Sequence, residues 1–228
     1  MTINFNASFR RNIISFAWTW VGLLIFIGIM SLFAIWSMNH VYLDGAKITQ
    51  DNSLLENETL KSQIHFKIQV QEWKNILLRG QNPEDKAKYF ANFEEQENKV
   101  AHHLRQSQKI CAVIHNKATC QPIEIVRFEH EELGRAYREK LNNGSLENYE
   151  GIKKIDASVR GIDRTTEKDI DMLFANFAKI KNEQVLKTKL KIENRYLILR
   201  KFVLIVLFIS LSISGFSLYK ILRSTKNQ

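Results

Sequence analysis

The sequence has few residues that interrupt helices. Its 228 residues include only two prolines, nine glycines and two cysteines. It also lacks any run of alternating apolar and polar residues long enough for a sheet. These absences exclude a fold built on strands, and we predict an all-α chain.

Charge is absent from two long stretches. Residues 13–36 and residues 202–219 contain no Asp, Glu, Lys or Arg, and about 20 apolar residues are enough to cross a bilayer as a helix. We predict membrane-spanning helices at 13–36 and 201–222. A signal peptide is a poorer explanation of the first stretch, because its apolar core would be only about 7–15 residues and SMNHVYLDGA does not resemble a cleavage site.

Acidic residues are absent from both tails, residues 1–12 and 223–228. The tails carry positive charge instead, and the positive-inside rule places both in the cytoplasm and residues 37–200 outside. A basic segment before the second span points the other way, but the rule is weak for long translocated domains. That segment contains Lys187, Lys189, Lys191, Arg195, Arg200 and Lys201.

A dominant basic surface is also missing. The formal net charge is +9, but all 24 acidic residues lie within residues 37–200 and nearly balance the basic residues there. Phosphate backbones require a strongly basic face. We therefore expect no nucleic-acid partner.

Turn residues divide the middle of the chain at three places, RGQNP, CAVIHNKATCQP and LNNGS. The breaks predict four helices. The first ends near residue 78, the second covers about 84–111, the third starts after Pro122, and the fourth continues into the second span. Apolar residues repeat every three or four positions in the last two of these helices. The pattern predicts a membrane-anchored, up-down-up-down four-helix bundle flanked by two transmembrane helices. The repeating positions are Ile123, Val126, His130, Leu133, Tyr137, Leu141, Ile170, Leu173, Phe177 and Ile180.

Cys111 and Cys120 flank the second break. In an oxidising outer compartment a pair this close in sequence can form a disulfide. Two buried thiols are the alternative, since sequence does not show the geometry that a bridge requires.

Motifs for metal and covalent chemistry are absent. No Glu stands three residues before any of the six histidines, and neither cysteine begins a Cys-x-x-Cys-His motif. No nucleophile with a base, glycine-rich phosphate loop or catalytic carboxylate pair is recognisable. We expect neither a metal, nor a cofactor, nor an enzyme, and His130 is interpreted as a hydrogen-bonded residue of the bundle.

Two segments are expected to meet at one end of the bundle, QEWKNILLRG and DASVRGIDR. Their arginines suit capture of a carboxylate or phosphate, beside an aromatic wall. Surface arginines also pair with acids without any ligand, and a structural clasp is the alternative. The ligand-binding candidates are Trp73, Arg79, Arg160 and Arg164, and the clasp candidates are Glu72, Asp163 and Gly80.

These segments, together with KYFANFEEQENKV and HEELGRAYREKL, resemble the periplasmic sensor region of methyl-accepting chemotaxis proteins over about residues 10–222. The resemblance implies a two-pass protein of the bacterial inner membrane with a periplasmic domain at 37–200. It implies a receptor that dimerises through its bundle and passes helix displacement through the membrane.

Such receptors continue into a HAMP relay and a long signalling hairpin after the second span, whereas this sequence stops at ILRSTKNQ. We expect a sensor of a small ligand, anionic if the arginines bind it, that acts in chemotaxis or signal transduction through a partner receptor. The expected partners are the bilayer and a second copy or a full-length receptor. The alternative is a structural or scaffold membrane protein, a degenerate receptor, whose bundle binds a protein partner.

Overall fold

The computed structural model describes residues 7–226, so residues 1–6 and 227–228 of the two predicted tails lie outside the described part. Within that part the chain forms five α-helices and no strand, which confirms the all-α prediction. The helices are α1 (Ala7–Arg79), α2 (Pro83–Ile114), α3 (Lys117–Asn142), α4 (Tyr149–Val159) and α5 (Asp163–Lys226). Residues 46–185 form one compact unit, and the described residues 7–45 with 186–226 belong to another.

Asparagine side chains define the starts of three helices. Asn82 accepts a hydrogen bond from the amide of Glu84, with Pro83 in the first helical position. Asn116 and Asn148 cap α3 and α4 in the same way. An asparagine cap satisfies an amide that has no partner within the helix, which is why the breaks fall at these residues.

Two predicted boundaries are wrong. α3 starts at Lys117 and not after Pro122, because Asn116 provides the cap and Pro122 lies inside the helix. The predicted fourth helix is divided into α4 and α5, because residues 160–162 form a turn in which Gly161 has a φ of +79°. The predicted four helices are therefore five.

Side-chain contacts within residues 46–185 define antiparallel neighbours. Gln96 contacts His65 and His103 contacts Glu58, so α2 runs against α1. Cys120 is bonded to Cys111 and Arg138 pairs with Glu97, so α3 runs against α2. Asp171 bonds Gln63 and Lys181 pairs with Glu56 at 2.6 Å, so this part of α5 runs against α1. The four long segments alternate in direction, with α4 inserted before α5.

The predicted apolar stripes form the core of this unit. All six stripe positions of α3 are buried, as are Ile170, Leu173 and Phe177 of α5. They pack against buried residues of α1 and α2, including Leu55, Phe66, Phe93 and Leu104. Burial of this apolar surface is the main stabilising contribution to the bundle.

The second unit contains the apolar stretches of α1 and α5. Both helices are long and apolar enough to cross a membrane, and their most apolar windows are not buried inside the chain. A Cβ added to Gly45 would lie 2.3 Å from Cγ2 of Thr188, so the two helices approach closely there. Exposed apolar helices of this length are what a lipid environment requires. The chain is a membrane protein with two candidate spans.

Candidate ligand-binding cleft

A cleft of about 280 Å³ lies where α1, α3, α4 and α5 meet in the unit of residues 46–185. Trp73 and Lys74 come from α1, and Tyr137 comes from α3. Asp156 lies on α4 and Arg160 directly follows it, and the first two turns of α5 complete the lining with Asp163, Arg164 and Glu167. The cleft combines two aromatic rings with charges of both signs.

Two stacked rings form the aromatic part of the lining. Trp73 and Tyr137 have ring centroids 4.3 Å apart and planes inclined by 20°. Phe93 packs edge-on against Tyr137 from behind, and all three residues belong to the buried core. The rings are held by packing, so this wall is rigid before any ligand arrives.

The Tyr137 hydroxyl is free to bond a ligand. The part of the chain that the structure describes offers it no hydrogen-bond partner, although buried tyrosine hydroxyls usually have one. Burial, and after it the charge of Asp163, raises the pKa of Tyr137. The hydroxyl is therefore a neutral group that can donate to an anionic oxygen.

Four charged side chains of the cleft have no ion-pair partner among the described residues: Lys74, Asp163, Arg164 and Glu167. Arg160, in contrast, pairs with Asp156 at 2.7 Å, and this hydrogen bond raises the pKa of Arg160. Two free cations and two free carboxylates thus face a cleft with an aromatic wall.

The turn between α4 and α5 positions Arg164. Gly161 adopts the left-handed backbone region, where glycine carries no steric penalty. The amide of Arg164 then donates to the carbonyl of Gly161 at 3.3 Å, in the first turn of α5. The sharp turn places Arg160 and Arg164 on the same cleft.

Three of the predicted residues do not line the cleft. Arg79 instead donates to the Tyr89 hydroxyl at 2.5 Å, with its guanidinium over the ring of that residue. Glu72 accepts hydrogen bonds from Asn75 and Asn92 and not from Arg164. The expected convergence of three arginines is corrected to two, because the turn after α1 directs Arg79 towards α2.

Gly80 has a packing role instead. A Cβ there would lie 2.3 Å from the carbonyl oxygen of Ile76 and 2.9 Å from Cδ1 of Leu146. The predicted clasp between Arg164 and Glu72 or Asp163 is likewise not formed among the described residues. Among the described residues, the ion pair that lines the cleft is between Arg160 and Asp156.

Sequence reasoning missed Tyr137, Asp156 and Glu167 as cleft residues. Tyr137 lies seven positions after His130 on the buried stripe of α3, and His130 bonds Gln69, four positions before Trp73. The stripe predicted that Tyr137 would be buried, but its contact with Trp73 is seen only in the structure. No comparable signal marks Asp156 or Glu167.

Polar contacts between helices account for several histidines outside the cleft. His130 Nε2 lies 2.8 Å from the Gln69 side-chain oxygen, as expected for a hydrogen-bonded core histidine, and burial lowers the pKa of His130 to about 4. His103 contacts Glu58 at 2.7 Å and His65 contacts Gln96 at 2.8 Å. No cluster of three or more metal-binding side chains occurs among the described residues.

Cys111 and Cys120 form a disulfide across the connection between α2 and α3, with Cα atoms 5.7 Å apart. Cys111 is buried in the core and Cys120 packs against it. The bridge ties the two helices together at their shared loop.

Comparison with known proteins gives a partial match. Over 113 residues the chain is 34% identical to the methyl-accepting chemotaxis protein CtpH of Pseudomonas aeruginosa. The match covers 50% of this chain and 19% of that protein. The chain therefore spans about a fifth of its relative's length.

No model of a known protein family and no solved structure matches the chain. The comparison supports a relationship to methyl-accepting chemotaxis proteins over half of the chain. It relates the chain to a chemotaxis protein and not to an enzyme, in agreement with the sequence-based expectation.

Proposed function

We propose that the chain is the sensory part of a chemoreceptor-like membrane protein, with residues 46–185 as a periplasmic sensor bundle. The partial similarity to a chemotaxis protein supports the signalling role. The helical bundle and the two candidate spans support the arrangement of a sensor joined to membrane helices. The function is to detect a small molecule and to relay its binding across the bilayer.

The cleft supports a ligand that carries an anionic group. Arg164 and Lys74 have no ion-pair partner in the described part of the chain, and the Tyr137 hydroxyl can donate a third hydrogen bond. Asp163 and Glu167 on the same cleft favour a second ligand group that donates hydrogen bonds, such as an amine or hydroxyl. The observation that carries this proposal is a cleft lined by Trp73 and Tyr137 together with charges that have no ion-pair partner among the described residues.

The relay begins at α5. Asp163, Arg164 and Glu167 lie in its first turns, and α5 continues without interruption to Lys226. A ligand held by these side chains and by α1 changes the preferred position of the start of α5 relative to α1. Packed helices shift between discrete arrangements, so a small change at the cleft can be passed along the helix.

The outer face of α1 supports a second copy as the partner. Leu54, Ile64, Ile68 and Leu78 are exposed on α1. Their spacings of ten, four and ten residues place them on one side of α1, as an interrupted apolar stripe that a further helix can cover. We propose that the bundle dimerises through this stripe, with a second copy or a related full-length receptor.

A melting screen of the full chain in lipid nanodiscs tests the sensor role. The compounds are amino acids, organic acids, nitrate and phosphate, and a ligand at 100 times its dissociation constant stabilises by about 2.7 kcal/mol. The proposal expects one class of these compounds to raise the melting temperature of the wild type but not of Arg164→Ala. If no compound raises the melting temperature, and the bundle instead captures an unrelated receptor or a scaffold protein, the scaffold alternative replaces the sensor proposal.

A further inference from the structure

The basic segment before the second span is not used by the proposed sensor. Between residues 186 and 201 α5 carries six cations and a single acid, Glu193. All six cations are exposed and none has an ion-pair partner in the part of the chain that the structure describes. Six exposed cations on a short helical segment produce a positive local potential that attracts anionic groups.

Three of these cations lie along one face of α5. Lys187, Lys191 and Arg195 follow one another at intervals of four residues, which places them one above the other on a helix. Together with Asn194 and two apolar residues, Leu190 and Ile198, they line a shallow groove of about 420 Å³. Cations, an amide and exposed apolar side chains are thus interleaved on one face.

The position of this face relative to the membrane can be read from α1. Arg195 and Ser37 line a common groove between the two helices, and Ser37 directly follows the charge-free stretch at residues 13–36. Arg195 therefore lies where α1 leaves the predicted hydrocarbon region. Lys187 and Lys191 lie one to two turns further out, at the depth of lipid headgroups.

Two further residues of α5 agree with this placement in the membrane. Tyr196 is 55% exposed beside Arg195, and tyrosine is enriched at the boundary between membrane and water. Lys201 lies deeper, where its long side chain can extend its ammonium group back to the interface.

We propose that Lys187, Lys191 and Arg195 form a binding face for the phosphate groups of anionic phospholipids in the adjoining leaflet. The cations bind the phosphodiester, and Leu190 and Ile198 contact the upper part of the acyl chains. The source of the phosphate is the lipid and not a soluble ion, because apolar residues alternate with the cations at the depth of the headgroups. This face anchors α5 where it enters the membrane.

The test compares lipid selectivity of the full chain in membranes that mix phosphatidylglycerol with phosphatidylcholine. Spin-labelled versions of the two lipids report their relative association with the protein. The wild type is expected to prefer phosphatidylglycerol. In the triple variant Lys187→Gln, Lys191→Gln, Arg195→Gln, the ratio of phosphatidylglycerol to phosphatidylcholine association is expected to fall by about fivefold for each cation removed.

Two matched variants control for charge and for fold. The first control is the triple variant Lys86→Gln, Lys109→Gln, Lys117→Gln. It removes the same charge from exposed positions of α2 and α3 that have no ion pair among the described residues, and it is expected to keep the preference. The second control is the triple variant Lys187→Arg, Lys191→Arg, Arg195→Lys. It keeps all three charges and is expected to keep the preference for phosphatidylglycerol. Equal loss in both neutralised variants would overturn the proposal, since bulk charge would then explain the preference.

A second arm distinguishes lipid from free anion. Inorganic phosphate is titrated onto the wild type in pure phosphatidylcholine nanodiscs, and no saturable binding that depends on the three cations is expected. If such binding appears, the face is a site for soluble phosphate and the lipid proposal fails. The melting shift caused by a cleft ligand is expected to be the same in the lipid-face variant, so the two proposals fail independently.

Discussion

The ring of Trp73 lies against the ring of Tyr137, with centroids 4.3 Å apart, and joins α1 to α3 at the wall of the cleft. Trp73 is only 3% exposed. The same contact therefore contributes to the stability of the bundle and to the surface that a ligand would meet.

Trp73→Ala is expected to destabilise the protein by about 3–5 kcal/mol, because it removes a buried aromatic side chain and leaves a cavity. Tyr149→Ala is the control, since Tyr149 is 71% exposed and such a change is expected to cost less than about 0.5 kcal/mol. Urea unfolding followed by circular dichroism measures both. Similar losses for the two variants would contradict the packing role of Trp73.

Stability is expected to fall in mild acid because of His130. Its pKa of about 4 in the folded chain lies below the ordinary value of 6.5, so the unfolded chain binds a proton between these values that the folded chain does not. The contribution is complete above pH 6.5 and is lost as the pH falls towards 4, by about 3 kcal/mol.

His130→Gln removes this titration while it keeps a side chain that can reach Gln69. The difference in unfolding free energy between pH 7 and pH 4.5 is expected to shrink in the variant. His115, whose pKa burial also lowers, contributes with the same sign in both proteins and does not affect the comparison. An unchanged pH slope would show that His130 does not carry the effect.

The stripe of α3 and the membrane stretches were predictable because both depend on local spacing and composition. The core position of His130 follows from its place on that stripe, and its partner Gln69 lies on the facing helix. The division between α4 and α5 was missed because Gly161 stands alone, without the proline or asparagine that marked the other breaks. The backbone of one glycine ends a helix here.

The membership of the cleft could be predicted only in part. Trp73, Arg160 and Arg164 were expected, whereas Arg79 bonds Tyr89 across the turn into α2. Which charges stay unpaired depends on the rotation of each helix about its axis, and sequence spacing alone does not fix this rotation for a polar face. The apolar faces are fixed because burial selects one orientation.

Gly161→Ala is expected to destabilise the protein by about 1–2 kcal/mol, because a Cβ is disfavoured at a φ of +79°. Gly161→Asn is expected to cost less, since asparagine tolerates this conformation better than other residues. Thermal unfolding of the two variants gives the order. An alanine variant as stable as the asparagine variant would contradict the strained turn.

Reduction of the disulfide is expected to lower the free energy of unfolding by about 2–3 kcal/mol, from the chain entropy of so short a loop. The double variant Cys111→Ser, Cys120→Ser is expected to match the reduced wild type within a small margin and to show no further response to reductant. Melting with and without dithiothreitol measures this. A wild type that does not respond to reductant would contradict a stabilising bridge.

Arg164 is proposed to bind the ligand in the cleft, and calorimetric titration of the full chain measures its contribution to affinity. The titrant is the compound that raises the melting temperature most, and the control is Arg79→Ala, which removes an arginine outside the cleft. Loss of a charge-assisted hydrogen bond costs about 1.5–3 kcal/mol. Arg164→Ala is therefore expected to weaken binding at least about tenfold. Arg79→Ala is expected to leave the affinity unchanged. Equal affinity of Arg164→Ala and the wild type would contradict the account.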